Sequence, residues 1–195
     1  MSHVSAGIIN ADSSVIEDWE GSSPISNWSG DTGSFATQQS TVYEGSTAVE
    51  WTSGGEDSIT KDGVTVAPSD TPISGHFWND SNGNELGLVF GAQSTAGNSS
   101  LDCYETFVDT NGKFRLYRQD NGSESELAAS DVSNAEDGWT KLTVDWQSDG
   151  TISVTFTDTT GATTTISGTD SNYSSGRIGV MLDDTNYADY LYYGT

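Results

Sequence analysis

Residues 139–158 read WTKLTVDWQSDGTISVTFTD, and this stretch decides the fold class. On both sides of the turn residues Asp149 and Gly150, apolar side chains alternate with polar ones. The apolar members of the alternation are Leu142, Val144, Trp146, Ile152, Val154 and Phe156. A period of two on both sides of an Asp-Gly turn predicts a β-hairpin with one apolar face. Because an isolated hairpin is only marginally stable in water, that face is expected to pack on a second sheet.

The rest of the chain repeats the same design of short strands separated by glycine-marked turns. Further strands are predicted at residues 15–19, 34–39, 47–52, 57–60, 63–67, 72–78, 86–90, 101–108, 113–118, 126–129, 163–167, 177–182 and 188–193. Residues 57–60 and 63–67 are expected to pair around Asp62-Gly63, and residues 24–33 are expected to form a loop. The one helical segment predicted is a single turn at 134–137. Many short strands without an amphipathic helix predict an all-β antiparallel protein, either a sandwich or a barrel.

The length of 195 residues fits one domain. We assign residues 14–195 to that domain and residues 1–13 to an N-terminal arm, which is either poorly ordered or packed on, or exchanged with, another copy. The sequence has no apolar run of about 18 residues, and its first residues lack the pattern of an export signal. Membrane insertion is therefore not expected. Because the chain as given carries no export address, it was either processed or is exposed by another route, such as assembly into a particle inside a cell. The expected location is accordingly a virion surface or the outside of a cell.

The chain is strongly acidic. It has 6 Lys and Arg residues against 29 Asp and Glu residues, which gives a formal net charge of −23. Nucleic acids and acidic membranes are therefore not expected as partners, because phosphate binding needs clustered cations. A solvated acidic surface that keeps the protein soluble explains the charge. Adaptation to very high salt, which screens the repulsion between carboxylates, explains it too, and the low lysine content favours this second interpretation.

Residues with catalytic chemistry do not form a recognisable constellation. Cys103 is the single cysteine, so an internal disulfide is excluded, and two histidines do not complete a zinc motif. On a strand, Glu17 and Glu20 point to opposite faces, whereas Glu124 and Glu126 share a face beside a turn without an evident apolar pocket. No serine lies in a G-x-S-x-G elbow. The protein is therefore expected not to be an enzyme.

The order of motifs along the chain resembles a known family of folds. The segments that carry the resemblance are VIEDWEG at 15–21, TGSFATQQSTVYEGSTAVEW at 32–51, ELGLVFG at 85–91, NGKFRLYR at 111–118, DGWTKLTVDWQSDGTISVTF at 137–156, GRIGVMLDD at 176–184 and ADYLYY at 188–193. This order is similar to that of the concanavalin A-like, LamG-type jelly rolls common in proteins of haloarchaea and their viruses. The resemblance implies an antiparallel two-sheet jelly-roll sandwich with a concave face that can hold a ligand. Related domains are carbohydrate-binding modules, glycoside hydrolases or architectural parts.

The resemblance also implies one structural Ca²⁺ ion. Similar sandwiches often join the first strand to the last through a Glu near the chain start and an Asp in the closing strand. Glu20 and Asp189 match these positions, and a carbonyl of Glu44 or of Gly45 is the candidate third ligand. Oxygen ligands suit such a hard cation. The alternatives are that these carboxylates simply face water, or that Asp183-Asp184 holds the ion.

Four residues are candidates for contact with a glycan: Trp78, Tyr104, Arg115 and Tyr117. Sugar rings stack on exposed aromatic rings, and Arg115 lies two residues from Tyr117. The alternative is that the aromatic rings belong to the core or pair on a sheet surface. Packing in the core or at an edge is the role expected for Trp19, Trp139 and Trp146.

These observations together predict a non-catalytic structural or adhesive module. Its predicted setting is the surface of a haloarchaeal virus particle, as a capsid decoration, turret, spike or tail fibre that contacts host glycans and other virion proteins. A virion part of this kind is expected to be a symmetric homo-oligomer. The alternative is a cell-surface carbohydrate-binding module or, more remotely, a glycoside hydrolase.

Overall fold

The computed structural model describes residues 14–195 except residues 23, 70, 80–84, 110 and 134, so the arm at 1–13 lies outside the described residues. Of the predicted helical turn at 134–137, residues 136–137 form a bend, residue 135 has no regular structure, and residue 134 is outside the described part. No helix in the described part is long and apolar enough to cross a membrane.

The strands are β1 (Ser14–Glu17), β2 (Trp28–Gly30), β3 (Phe35–Gln38), β4 (Ala48–Trp51), β5 (Asp57–Lys61), β6 (Ile73–Asn79), β7 (Leu86–Ala92), β8 (Cys103–Val108), β9 (Lys113–Asp120), β10 (Ser123–Asp131), β11 (Gly138–Trp146), β12 (Thr151–Thr157), β13 (Thr163–Thr169), β14 (Arg177–Leu182) and β15 (Tyr187–Tyr193). Short 3-10 helices lie at Pro24–Asn27, Thr32–Ser34 and Asn98–Ser100.

The strands form two antiparallel sheets that pack face to face. Within the described residues, sheet A has eight strands, in the order β13-β12-β11-β6-β15-β4-β3, with β1 also paired to β15. Sheet B has seven strands in the same part of the chain, in the order β10-β9-β8-β7-β14-β5-β2. Each pair of neighbouring strands among the described residues is antiparallel. The all-β antiparallel prediction is therefore confirmed, as a sandwich and not a barrel.

The hairpin predicted at 139–158 lies in sheet A, where its two strands are β11 and β12. Leu142 lies opposite Phe156, and Val144 lies opposite Val154. All four side chains are at most 1% exposed, and Phe156 meets Phe114 of sheet B with ring centroids 5.8 Å apart. The apolar face of the hairpin thus packs on the second sheet, as predicted, because burial of that face stabilises both sheets.

The core between the sheets is rich in tryptophan. Trp19 is fully buried and stacks on Trp28 with 4.5 Å between the ring centroids. Trp146 is 3% exposed, and its ring meets Phe90 of sheet B edge-on at 5.6 Å. The core role expected for Trp19 and Trp146 is confirmed. Trp139 alternates to the other side of β11 and lies on the outer face of sheet A.

The region around β5 differs from the prediction. Residues 63–67 do not form a strand, and Val66 makes an isolated bridge instead. The physical reason is that β5 already has a hydrogen-bonded neighbour on each side, β14 and β2. Trp28 begins β2, so the predicted loop at 24–33 contains an edge strand.

Candidate functional site

The outer face of sheet B, which is turned away from sheet A, brings Arg115 and Tyr117 together. Both residues lie on β9, where Phe114 and Leu116 alternate into the core. In the register of β10 on β9, Glu126 lies opposite Tyr117. An arginine, a tyrosine and a glutamate therefore share one solvent-facing surface.

The Arg115 guanidinium is held in one orientation by three neighbours. Its Nε donates to Asp109 Oδ2 at 2.7 Å, and its Nη1 donates to Glu126 Oε2 at 2.7 Å and to the Tyr117 hydroxyl at 2.9 Å. The guanidinium carbon lies 5.8 Å from the centroid of the Tyr117 ring, within the range of a cation–π contact. We call the surface formed by Asp109, Arg115, Tyr117 and Glu126 the Arg115 face. It presents the arginine at a fixed position, which lowers the entropy lost on binding.

Asp109 anchors the Arg115 face at the turn between β8 and β9. Its side chain is buried, and its Oδ1 accepts the backbone N–H groups of Asn111 at 2.7 Å and Lys113 at 3.1 Å. Burial alone would raise the pKa of Asp109, but the hydrogen bonds from Arg115 and from the two amides hold that pKa below its ordinary value. The hydrogen bond to Asp109 in turn raises the pKa of Arg115. Both side chains are therefore ionised at neutral pH.

Beside Tyr117, the same face continues into an apolar cluster that is separate from the main core. Its buried members are Val89, Ala92, Leu101, Cys103, Phe107 and Met181. Glu105 lies opposite Tyr117 in the strand register and is fully buried. Its Oε1 accepts the Cys103 thiol at 3.3 Å, and its Oε2 has no partner among the described residues. Burial raises the pKa of Glu105 to about 7.

A second perturbed carboxyl group lies just before β7. Burial, together with a hydrogen bond to Glu56, raises the pKa of Glu85 to about 9. Glu56 also accepts Asn98 Nδ2 at 2.6 Å, and Asn98 Oδ1 accepts the Ser58 hydroxyl at 3.0 Å. Asn98 thus ties the loop between β7 and β8 to β5.

Sequence reasoning missed Asp109, Glu105 and Glu85. A signal for Glu105 existed, because it is the one charged residue of β8, which reads CYETFV and is buried along its whole length. A carboxylate is rarely buried without a specific reason. Asp109 also had a signal, because Asp two residues before Asn111-Gly112 is well placed to accept the backbone N–H groups of that turn.

Tyr104 is not part of this surface, which corrects the prediction. It points to the inner side of β8, where it is fully buried and its ring meets Trp146 edge-on at 5.6 Å. Its hydroxyl donates to Asp170 Oδ1 at 2.7 Å. Because a sugar ring cannot reach a side chain between the two sheets, Tyr104 is withdrawn as a ligand candidate.

Trp78 lies on the opposite side of the molecule, on the outer face of sheet A. It is paired with Trp139 across β6 and β11, and the two ring centroids are 5.9 Å apart. Of the four ligand candidates, Arg115 and Tyr117 alone share a surface.

The three calcium candidates converge on the loop between β3 and β4. Asp189 Oδ2 accepts the backbone N–H groups of Tyr43 at 2.9 Å and Glu44 at 3.1 Å. Glu20 Oε1 accepts two further amides of the same loop, at 2.7 and 2.8 Å. The carboxylates thus bind the backbone of the loop. Across the described ranges, no group of three or more His, Cys, Asp or Glu residues is arranged to hold a metal ion.

Asp189 differs from Glu20 in its surroundings. Asp189 is fully buried, its Oδ1 has no partner within the described part of the chain, and burial raises its pKa to about 7. Glu20 is exposed, and hydrogen bonds from the hydroxyl and amide of Ser46 lower its pKa. The loop amides therefore leave Asp189 Oδ1 unbonded, as a carboxylate oxygen that a calcium ion would need, and the calcium site stays a prediction.

Solved structures that resemble this chain are lectin-like jelly rolls, which confirms the jelly-roll part of the fold prediction. A legume lectin-like domain from Entamoeba histolytica matches with a TM-score of 0.61 and 8% identity, over 84% of this chain and 91% of that chain. The carbohydrate-binding module CBM66 from Bacillus subtilis matches with a TM-score of 0.60 and 15% identity, over 80% of this chain and 91% of that chain. The exoplasmic/lumenal domain of VIP36, solved with Ca²⁺ and Man3GlcNAc, matches with a TM-score of 0.61 and 17% identity, over 93% of this chain and 86% of that chain. No family model matches the chain, and no curated protein matches it significantly. At these identities, the similarity shows the fold alone.

Proposed function

We propose that the protein is a non-catalytic carbohydrate-binding module that holds a glycan on the Arg115 face. The proposal rests on one observation: the Arg115 guanidinium is held in a fixed position, and the Glu126 carboxylate and the Tyr117 ring lie beside it on the same surface. The solved neighbours support the class, because their names describe a carbohydrate-binding module, a lectin-like domain and a domain bound to Man3GlcNAc.

A sugar ring offers two kinds of surface, and the Arg115 face matches both. Sugar hydroxyls donate and accept hydrogen bonds, and Arg115 supplies donors while Glu126 supplies acceptors. The C–H side of a sugar is apolar, and the Tyr117 ring, backed edge-on by Phe107 at 5.4 Å, is a flat apolar surface. Hydrogen bonds to charged groups contribute about 1.5–3 kcal/mol each. Two such bonds and one ring contact are consistent with micromolar to millimolar affinity.

The geometry favours binding over glycan hydrolysis. Hydrolysis needs two carboxyl groups that flank the scissile bond, one of them acting as an acid. Glu105 has the raised pKa of such an acid, but it is fully buried and contacts the Cys103 thiol instead of solvent. Asp109 and Glu126 are both ion-paired with Arg115. We therefore propose a protein that binds a glycan without cleaving it.

The setting of this module stays a prediction. The similarity to lectins and to a carbohydrate-binding module supports the cell-surface alternative better than the virion role, and it gives no sign of a haloarchaeal or viral origin. The homo-oligomer and the exchanged arm also stay predictions. Glycan binding on the Arg115 face is compatible with a virion surface and with a cell surface.

The melting temperature is expected to rise steeply between about 0.1 and 2 M KCl. The net charge is −23, and five of the six basic side chains are already ion-paired, so most carboxylates repel one another without a compensating cation. The Debye length falls from ~10 Å at 0.1 M salt to ~3 Å at 1 M salt, which screens this repulsion. Thermal unfolding followed by circular dichroism measures the effect. A flat profile would remove the interpretation of adaptation to high salt.

The calcium prediction is tested by chelation of the wild type and of Asp189→Asn. An ion that binds only the folded state stabilises it by ~2.7 kcal/mol when its free concentration is 100 times the dissociation constant. Chelator is therefore expected to lower the melting temperature of the wild type and to have a much smaller effect on Asp189→Asn, in which a neutral amide replaces the carboxylate. Both proteins are compared at one KCl concentration. An identical response of the two proteins would show that Asp189 is not a calcium ligand.

A glycan array read in high salt tests the proposed function. We expect the wild type to bind at least one class of glycan and Arg115→Lys to bind it about tenfold more weakly or worse, a loss of ~1.4 kcal/mol or more. A lysine cannot reproduce the planar fork that engages Asp109 and Glu126 together. Lys113→Gln, a change on the same strand, is the matched control and is expected to bind like the wild type. Failure of the folded wild type to bind any glycan would contradict the proposal.

A further inference from the structure

A cleft on the outer face of sheet A lies on the opposite side of the sandwich from the Arg115 face. Its cavity volume is about 240 Å³, and its walls include Tyr43, His76, Trp139, Lys141, Thr157 and Asp158. The strand register explains how these residues meet, because Lys141 on β11 lies opposite His76 on β6 and opposite Thr157 on β12. A ligand in this cleft would contact none of the residues of the Arg115 face.

Three aromatic rings form a fixed wall of the cleft. Tyr43 stacks on His76 with 3.6 Å between the ring centroids and 12° between the ring planes. Tyr43 also meets Trp139 edge-on at 5.7 Å. The backbone N–H of Tyr43 is bound to the buried Asp189 carboxylate at 2.9 Å, which ties this loop to sheet A. The wall is therefore positioned before a ligand arrives, which lowers the entropy lost on binding.

Lys141 is the cation of the cleft. Every other Lys and Arg side chain forms an ion pair with a carboxylate, whereas Lys141 forms none with the described residues. Asp158 lines the cleft too, but its Oδ1 accepts the backbone N–H groups of Thr160 at 2.8 Å and Ala162 at 2.9 Å, which close its own turn. The chain has 29 acidic residues, yet no carboxylate among the described residues forms an ion pair with the Lys141 ammonium group. This ammonium group is therefore available to pair with an anionic ligand.

We propose that this cleft is a second binding site, which takes a single acidic sugar ring with the chemistry of a uronate. The C–H side of the ring packs on Trp139, the carboxylate pairs with the Lys141 ammonium, and a ring hydroxyl bonds to the Thr157 hydroxyl. The small volume sets the size of the ligand, because drug-sized ligands occupy pockets of about 300–1,000 Å³. Lys141 favours an anionic ligand over a neutral one, because a charge-assisted hydrogen bond is about twice as strong as a neutral hydrogen bond.

Two sugars that differ at one group test this site on the intact chain. Methyl glucuronide carries a carboxylate where methyl glucoside carries a hydroxymethyl group. Each is titrated into isotopically labelled protein in about 0.5 M KCl, where the Debye length of about 4 Å screens the net negative charge. Amide and indole chemical shifts report both the affinity and the place of binding. We expect the glucuronide to bind about tenfold or more tightly than the glucoside, with the largest shifts at Trp139 and Lys141.

Three variants separate this site from the Arg115 face. Lys141→Gln is expected to lose the preference for the glucuronide, whereas Lys113→Gln and Tyr117→Ala are expected to keep it. Equal affinity of the wild type for the two sugars would overturn the proposal, and so would shifts confined to the Arg115 face. The relative affinity of the wild type for the two sugars and the location of its chemical-shift changes therefore test the proposal even if Lys141→Gln does not fold. A preference retained by folded Lys141→Gln would also overturn it.

Discussion

Glu105→Gln is expected to be about 3 kcal/mol more stable than the wild type at about pH 9 and equally stable at about pH 3.5. In the folded protein, burial raises the pKa of Glu105 from 4.5 to about 7. The stability that the protonated group contributes is therefore fully present below the unfolded pKa and is lost as the pH rises through the folded value. Glutamine resembles the protonated form at every pH, and its carbonyl can still accept the Cys103 thiol.

Urea unfolding of both proteins at the two pH values measures this difference. Glu136→Gln is the matched control, because Glu136 is exposed and its replacement is expected to change stability equally little at both pH values. If Glu105→Gln is no more stable than the wild type at high pH, then the Glu105 carboxylate is solvated, and the buried apolar cluster beside the Arg115 face is described wrongly.

Asp109→Ala is expected to lower the free energy of unfolding by about 3 kcal/mol, which is large for a polar residue on a sheet surface. Asp109 is 6% exposed, and its removal leaves the Arg115 guanidinium without its buried carboxylate partner. It also leaves the backbone N–H groups of Asn111 and Lys113 without their acceptor in the turn. The loss falls at the low end for a buried ion pair, because Arg115 keeps its bond to Glu126 and a fifth of its side chain is open to water.

Asp131→Ala is the control, because it breaks an exposed ion pair to another basic residue of β9, Lys113. The side chain of Asp131 is 85% exposed and that of its partner Lys113 is 41% exposed, so the cost is expected to be about 0–1 kcal/mol. Denaturant unfolding at neutral pH compares the two variants. Equal, small losses would mean that Asp109 is not the anchor of the Arg115 face.

The hairpin at 139–158 is predictable from sequence because its two strands are adjacent and one period of two governs both. The surroundings of β5 are not predictable in this way. Its neighbours are remote in sequence, since Lys61 pairs with Trp28 and Ile59 pairs with Val180. Alternation tells which side chains share a face of a strand, but it does not tell which strands become neighbours. The prediction therefore paired β5 with the next segment along the chain.

The candidate site is predictable to the same extent. Arg115 and Tyr117 are two residues apart on a strand and necessarily share a face. Tyr104 is different, because all six residues of β8 are buried and burial gives no sign of which face is inward. The position of Glu126 opposite Tyr117 follows from the hairpin turn at Asn121-Gly122, because the register of β10 on β9 is unshifted from Ser123 to Glu126. The bulge between Glu126 and Ala128 shifts the pairing only beyond that point, in a way that alternation cannot reveal.

The central claim, glycan binding on the Arg115 face, is tested most directly by two matched aromatic variants. Tyr117→Ala and Trp78→Ala each remove a partly buried ring, one from the Arg115 face and one from the outer face of sheet A. The measurement is the dissociation constant, by isothermal titration calorimetry, of the glycan that binds the wild type most tightly on the array. We predict that Tyr117→Ala raises this constant about tenfold or more and that Trp78→Ala changes it less than about twofold. An unchanged constant for Tyr117→Ala together with lost binding for Trp78→Ala would place the glycan on sheet A and contradict the claim.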